Sequence, residues 1–497
     1  MSARLHDLLE GIADTHAFGD LSVSGLTLDS RQVQPGMAFF ALQGTQGHGI
    51  AFAAEAVRRG ACVVLAEAPA RADLSIDVPV LWIDQLHAKV GEIAARFYGR
   101  PSAAMRVIGV TGTNGKTSTV QLVAQALTRL GHRAATIGTL GAGLHGALHE
   151  GERTTPDAIS VQALLADFRA AGVSDVAMEV SSHALQQGRV GAVQFEIAAF
   201  TNLTRDHLDY HGSMQAYGAA KALLFAMPGL RAAVLNVDDA FGRELAAKLP
   251  QGVHALRLST DATDAHAADV HAGAIETSAT GLAFDLRTPW GRQRIRSALL
   301  GRFNATNLLT VIACLGALGE PFARIVDAVQ ALQPVNGRMS RLGGTDGEPL
   351  VVVDYAHTPD ALEQALSAVR AHCAGRLLCV FGCGGERDVG KRPLMGAIAE
   401  RLADVVIVTD DNPRGENGDA IVQAILAGMQ RPQTASVQRD RAVAIGQAVA
   451  QARPGDVVLI AGKGHETYQE GAGGKRAFDD QAVARAALDQ LGREHHA

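Results

Sequence analysis

Short apolar runs alternate along the chain with stretches in which apolar residues recur every three or four positions. The runs are Cys62–Ala66, Val107–Val110, Asp175–Val180, Ala232–Asn236, Leu350–Asp354, Leu377–Phe381, Val405–Thr409 and Val457–Ala461. Continuous apolar runs of this length read as strands buried on both faces. The spacing between them, as in Val120, Leu122, Val123, Ala126 and Leu127, reads as helix. Strands that alternate with helices predict parallel sheets and an α/β fold. One stretch departs from this. Within Asp261–Thr288, T-G-L-A-F-D-L-R-T alternates residue by residue and predicts an antiparallel hairpin inserted in the middle domain. Pro and Gly break the pattern at Tyr98–Ser102 and again at Leu332–Gly337. Three segments result, 1–100, 101–335 and 336–497.

Composition changes this picture little. At 497 residues the length suits about three domains of roughly 150 residues. A net charge of −6 gives no reason to expect nucleic acid or an anionic membrane as partner. No apolar run approaches the ~18 residues of a membrane span. Met1–Glu10 is amphipathic and charged, unlike a signal peptide. The five cysteines, Cys62, Cys314, Cys373, Cys379 and Cys383, are scattered and odd in number. Cys379 and Cys383 lie in and just after an apolar run and read as small core residues. The expectation is a soluble, reduced, cytoplasmic monomer acting on small molecules.

Chemistry concentrates first at Val107–Ser118, V-I-G-V-T-G-T-N-G-K-T-S. A buried strand ends in a glycine turn, and Lys116 and Thr117 open a helical pattern. Backbone N–H groups of such a loop converge on phosphate oxygens, and the helix N-terminus adds partial positive charge. A lysine in this place reaches the β/γ-phosphates and a threonine hydroxyl meets Mg²⁺. The general pattern has Gly where this chain has Val110, and the glycines fall at 109, 112 and 115.

Other polar constellations follow apolar runs. Glu179, in D-V-A-M-E-V-S-S-H, ends a strand, where carboxylates of open α/β sheets face the ligand crevice or else cap a helix. Thr201–Gly212, T-N-L-T-R-D-H-L-D-Y-H-G, carries His207 and His211, open to metal ligation, base catalysis or simple exposure. Lys221 stands alone in Y-G-A-A-K-A-L-L-F. It is either a snorkelling lysine or a buried amine of depressed pKa, and a neutral amine can add CO₂ to give a carbamate. Asn304 and Asn307 in G-R-F-N-A-T-N can cap a helix or hydrogen-bond an adenine edge. Asp354, Arg387, Asp411-Asn412-Pro413-Arg414 and Gly462-Lys463-Gly464-His465-Glu466 all lie just past strand ends. Two arginines there suit a carboxylate or phosphate, and an acid suits an ammonium.

Taken together these residues resemble the Mur ligases, which use ATP to extend the peptide of bacterial cell-wall precursors. The motifs are L-D-S-R at 28–31, T-G-T-N-G-K-T at 111–117, T-T-P at 154–156, E-V-S-S-H at 179–183, D-H-L-D at 206–209, Y-G-A-A-K at 217–221, G-R-F-N-A-T-N at 301–307, N-G-R-M at 336–339, D-Y-A-H-T-P-D at 354–360 and D-N-P-R at 411–414. The displaced glycine of the phosphate loop is normal in that family. The chain is most similar to members that add the third peptide residue, and D-N-P-R with Arg387 and G-K-G-H-E resembles those taking meso-diaminopimelate rather than L-lysine. Lysine lacks the distal carboxylate, and an arginine left unpaired in a closed site is costly.

The resemblance implies three α/β domains: an N-terminal UDP-substrate domain, a central P-loop ATPase domain with a parallel sheet plus a small antiparallel sheet, and a C-terminal Rossmann-like domain that brings the amino acid and completes the site by closure. It implies ATP on Gly112, Thr113, Asn114, Gly115, Lys116, Thr117 and Ser118, with Asn304 and Asn307 near adenine and Asp354 near ribose. One Mg²⁺ falls to Thr117 and Glu179, a second to Glu179, His207 and carbamylated Lys221. Lys116 and Arg338 assist as an acyl phosphate forms and is attacked by the amine. The UDP-muramoyl-dipeptide falls to Leu28, Ser30, Thr45, Gln46, Thr154, Thr155, Ser181, Gln187 and Arg189. Diaminopimelate falls to Arg387, Asp411, Asn412, Pro413, Arg414, Gly462 and Glu466. Arg153 departs from the family, which commonly has Asn before T-T. Two alternatives use the same loop: a folylpolyglutamate synthase-like ligase, against which the first 100 residues argue, and a P-loop switch or transport ATPase, which has no need of D-N-P-R and G-K-G-H-E.

Overall fold

The computed structural model describes residues 1–44, 47–70, 76–261, 268–345 and 347–496. It divides into two compact units, Met1–Leu258 with Ala313–Glu320, and Ser259–Ile312 with Pro321–Ala497.

The first unit holds two sheets. Strands Gly25–Thr27, Met37–Ala41, Val63–Glu67 and Val80–Ile83 pair in that order, all parallel. Apart from Thr27 and Glu67, which end their strands, these strands are apolar because both faces are covered. Ala38, Phe40, Val63 and Leu65 face one core with helix Leu86–Phe97, while Phe39, Ala41, Val64 and Ala66 face another. The second sheet runs Ala134–Gly138, Asp175–Glu179, Arg106–Thr111, Ile197–Phe200, Ala232–Asn236 and His254–Ser259, parallel throughout. Gly141–Leu144 and Ala147–His149 add an antiparallel edge. Arg106–Thr111 is central, so the turn that follows it lies between the carboxyl ends of Asp175–Glu179 and Ile197–Phe200. In an open α/β sheet this is where ligands bind.

In the second unit, Val270–Ser278 and Gly281–Thr288 form the antiparallel hairpin that the alternation predicts, and Gly291–Ser297, beyond the predicted stretch, extends it to a three-stranded meander. Residues 262–267, inside the stretch read as a hairpin, lie outside the described residues. A second sheet orders Ser340–Gly343, Leu350–Asp354, Val457–Ala461, Leu377–Phe381, Val405–Val408 and Ser436–Val437. All but the first pair in parallel. Val352, Cys379 and Leu459 point into one core and Val351, Val353, Val380 and Ile460 into the other. That two-sided burial is why these runs show no polar alternation. Thr277 Oγ1 donates to the Ala371 carbonyl (2.8 Å) and Arg341 Nη1 to that of Thr280 (3.0 Å), so the turn between the first two strands of the meander is tied to the end of helix Pro359–Arg370 and to strand Ser340–Gly343.

Among the described residues no helix is long and apolar enough to cross a membrane.

Candidate active site

The phosphate loop follows strand Arg106–Thr111 and feeds helix Lys116–Arg129. Gly112 has φ +147°, and a Cβ there would stand 1.9 Å from Thr201 Oγ1, so only glycine fits. Gly115 is left-handed and immediately precedes the helix. The loop is tied to the segment after Ile197–Phe200: Asn202 Oδ1 accepts from the Asn114 N–H (2.9 Å) and Thr201 Oγ1 donates to the Asn114 carbonyl (2.6 Å). Lys116 Nζ rests on the carbonyls of Gly112 and Thr113, 2.9 Å from each.

Glu179 pairs with Val110 across the sheet, which sets its side chain beside the loop. Its carboxylate is buried and accepts from Thr117 Oγ1 (3.0 Å), the Thr139 N–H (2.7 Å) and Thr139 Oγ1 (3.3 Å). A Cβ at Gly138 would stand 2.3 Å from Glu179 Oε1, so glycine makes room for this carboxylate. Thr155 Oγ1 donates to the Glu179 carbonyl (2.8 Å) and accepts from the Ser181 N–H (3.1 Å). Arg189 donates to the Thr155 carbonyl and to Gln187 Oε1, and Gln187 donates to the Tyr210 hydroxyl. Thr154 Oγ1 lies 3.0 Å from Thr139 Oγ1. Thus Thr154, Thr155, Ser181, Gln187 and Arg189 form one hydrogen-bonded group around the base of Glu179.

Lys221 does not snorkel. It is 1% exposed, with Nζ 2.8 Å from the Gly112 carbonyl and 4.2 Å from the Tyr217 ring centre. Burial, reinforced by the neighbouring Lys116 charge, pulls its amine down to about 6, against a weaker pull from Asp206. The Tyr217 hydroxyl lies 3.2 Å from Thr113 Oγ1, and burial pushes it up to about 12. His207 has φ +51° and pairs with Asp206 at 3.4 Å. Its ring packs on His183 (4.8 Å between centres) and edges Tyr217 (6.2 Å), so His207 and Lys221 flank the same phenol ring. Among the described residues no three of His, Cys, Asp and Glu assemble as a ready metal cluster.

The N-terminal residues are less informative. Ser30 Oγ is buried and donates to Glu55 (2.9 Å), and Leu28 packs on the core. Thr45 and Gln46 lie outside the described residues.

In the second unit, Asn304 and Asn307 are buried at the start of helix Phe303–Ala317. Asn304 Nδ2 donates to the Leu300 carbonyl and Asn307 Nδ2 to Asn304 Oδ1. Asp354 ends its strand and accepts from the Met339 N–H (2.8 Å); burial pushes its carboxyl up, partly countered by the Arg338 charge. Arg338 lies over the Tyr355 ring.

The ends of Val405–Val408 and Val457–Ala461 build a second polar group. Arg414 sits at φ +51°, with Nε 3.1 Å from Glu470 and Nη1 2.9 Å from the Gly385 carbonyl. Arg387 is exposed, and Gly384 lies against both guanidinium-bearing side chains. Asn412 Nδ2 donates to Glu466 (2.9 Å), and the fully buried Lys463 bridges Asn412 Oδ1 (2.9 Å) and Glu466 (2.8 Å). Burial raises the Glu466 carboxyl, but Lys463, with Asn412 and His465, more than offsets this and leaves it below the ordinary range. Asp411 is buried and raised by desolvation, and a Cβ at Gly462 would stand 2.4 Å from it. Pro413 lies in the same loop, and its carbonyl is 2.0 Å from where a Cβ at Gly385 would stand.

Sequence reasoning missed Thr139, Tyr210, Lys463 and Glu470. Lys463 was visible inside G-K-G-H-E and Tyr210 between two histidines. Thr139 and Glu470 carry no motif; only the fold brings them to their partners.

The chain is similar to known proteins along most of its length. Residues 22–98 match the catalytic domain of the Mur ligase family, 110–315 the Mur ligase middle domain and 337–464 the Mur ligase glutamate ligase domain. A UDP-N-acetylmuramoyl-L-alanyl-D-glutamate--2,6-diaminopimelate ligase of Xanthomonas campestris pv. campestris (strain 8004) is 58% identical over 486 residues, 98% of each chain. A protein of the same description from Pseudomonas aeruginosa is 52% identical, covering 94% of this chain and 96% of its own. The solved structure of a further diaminopimelate ligase so described covers 100% of both chains with a TM-score of 0.75 and 36% identity.

Proposed function

The chain belongs to the Mur ligase family, and on that premise we infer that it is an ATP-dependent ligase joining 2,6-diaminopimelate to UDP-N-acetylmuramoyl-L-alanyl-D-glutamate in peptidoglycan precursor synthesis. The observation that carries this is the full-length likeness to ligases of that description, at 58% identity over 98% of each chain. The three proposed segments are 1–100 for the UDP substrate, 101–335 for ATP and 336–497 for the amino acid.

The residues supply the following chemistry. Gly112–Ser118 offers backbone N–H groups and a helix N-terminus to the ATP phosphates. Lys116, close by on the loop carbonyls, moves onto the transferring phosphoryl group. Thr155, Ser181, Gln187 and Arg189 orient the dipeptide end, so that the γ-carboxylate of its D-glutamyl residue meets the γ-phosphate in line. Transfer gives an acyl phosphate and ADP. The diaminopimelate amine then attacks the acyl carbon, and the tetrahedral adduct expels phosphate. Such phosphoryl transfer depends mainly on positioning and charge compensation.

Magnesium fits the donors present. Thr117 Oγ1 and the Glu179 carboxylate are hard oxygen donors 3.0 Å apart, the kind of ligand that this ion takes beside waters and phosphate oxygens. Thr117 and Glu179 would hold one ion; Glu179, His207 and a carbamate on Lys221 a second. When bound, these ions neutralise charge on the transferring phosphoryl group. The buried Lys221 amine, neutral above about pH 6, is suited to add CO₂ and lose a proton.

Arg414 and Arg387 receive the distal carboxylate of diaminopimelate, and Glu466 its ammonium. Glu470 and Gly385 hold two nitrogens of Arg414, which fixes the guanidinium plane before substrate arrives. The test is phosphate release with the UDP-muramoyl-dipeptide and ATP plus either meso-diaminopimelate or L-lysine. Turnover with diaminopimelate and little with lysine is expected; faster turnover with lysine overturns the reading.

A further inference from the structure

His372 follows helix Pro359–Arg370 and is 5% exposed. Both ring nitrogens are engaged. The Gly301 N–H lies 2.8 Å from Nε2, and the Ser278 carbonyl lies 2.6 Å from Nδ1. A backbone N–H can only donate, so Nε2 is the unprotonated acceptor. The single proton is then on Nδ1 and goes to the Ser278 carbonyl. The imidazole is therefore neutral and locked in one tautomer. Burial, aided by the charge of Arg341 and opposed by the Ser278 contact, keeps it below its ordinary pKa.

These two bonds join the helix end to different segments. Ser278 closes strand Val270–Ser278; Thr277 in that strand also donates to the Ala371 carbonyl, and Thr280 in the turn beyond it accepts from Arg341. Gly301 opens the turn into helix Phe303–Ala317. It has φ +85°, and a Cβ there would stand 2.6 Å from the Phe303 ring. The turn is tight, so the direction of its N–H is set. From Gly301 the bonds continue: the Asn304 N–H donates to the Gly301 carbonyl (2.9 Å), Asn304 Nδ2 to the Leu300 carbonyl (2.6 Å) and Asn307 Nδ2 to Asn304 Oδ1 (2.7 Å). His372 thus anchors the base of the two amides.

We propose that His372 is a positioning residue for ATP, fixing the Gly301 turn from which Asn304 and Asn307 meet the adenine. The proposal rests on adenine being held by those amides. It is tested by steady-state kinetics with ATP varied and the UDP-dipeptide and diaminopimelate saturating, in the wild type and in His372→Ala, His372→Gln, His372→Phe and Asn304→Ala. Loss of one anchoring hydrogen bond should raise KM for ATP about five- to tenfold in His372→Ala and His372→Phe, with kcat within about twofold. Glutamine, whose amide oxygen can accept from the Gly301 N–H, should return KM most of the way. A KM for ATP unchanged in His372→Ala, or raised equally in the glutamine and phenylalanine variants, overturns the proposal. Should the alanine variant fail to fold, glutamine against phenylalanine decides alone. A KM unchanged in Asn304→Ala instead overturns the adenine placement, which separates the two failures.

Discussion

Lys221 shows what a single residue's surroundings do to its chemistry. Its amine is buried against Tyr217 and beside the positive Lys116, which lowers its proton affinity to about 6. The reactive neutral form is therefore present above about pH 6 and lost as pH falls through that value. In CO₂-depleted buffer at pH 8 the rate should fall and bicarbonate should restore it, whereas below pH 6 bicarbonate should have little effect. Lys221→Ala should lower kcat about 10²-fold or more, with partial rescue by acetate or propionate. A rate indifferent to bicarbonate at pH 8, with no rescue, sinks the carbamate. At the other polar group, Arg414→Ala should raise KM for diaminopimelate about 100-fold while changing kcat/KM for L-lysine far less. Equal losses for the two amino acids would mean that Arg414 supports the loop and does not read the carboxylate. These residues were legible in the sequence because lone polar groups at the ends of apolar runs stand out. Their partners were not. Thr139 reaches Glu179 over a sequence separation of 40 residues, and Glu470 reaches Arg414 over 56.

At the scale of elements, the apolar runs became strands where expected, and their unbroken hydrophobicity reflects burial on both faces. One ion pair holds several elements of the second unit together. Arg441, at the start of helix Arg441–Gln451, and Asp480, at the start of helix Asp480–His496, are both fully buried. The guanidinium donates to both Asp480 oxygens at 2.7 Å and to the Ala461 carbonyl at 3.0 Å, where strand Val457–Ala461 ends. Asp480→Ala leaves a buried, unpaired charge and should destabilise by about 3–5 kcal/mol. A fall of less than 1 kcal/mol in urea unfolding would show that water or another acid takes over. No sequence pattern marks this pair; Arg441 reads as an ordinary first-turn residue of a helix, with Asp440 as its cap.

At the scale of the whole molecule, the two compact units divide the proposed chemistry. Hydrogen exchange should show it: an ATP analogue should slow exchange across 109–118. Diaminopimelate, added to enzyme already holding the analogue and the UDP-dipeptide, should slow it across 409–416 and 461–470. Protection by diaminopimelate that spares both of the latter segments would refute the assignment of its pocket. By itself the sequence determined the α/β class, the strands, the phosphate loop, the antiparallel segment and the family, since these depend on local periodicity, turn chemistry and ordered motifs. Tertiary structure alone decided that Lys221 is buried, not snorkelling, that Ala371 and Arg341 are hydrogen-bonded to the first turn of the meander, and that His372 holds the Gly301 turn. Burial depth and hydrogen-bond partners are set by contacts between segments far apart in the chain, and local sequence carries no signal for them.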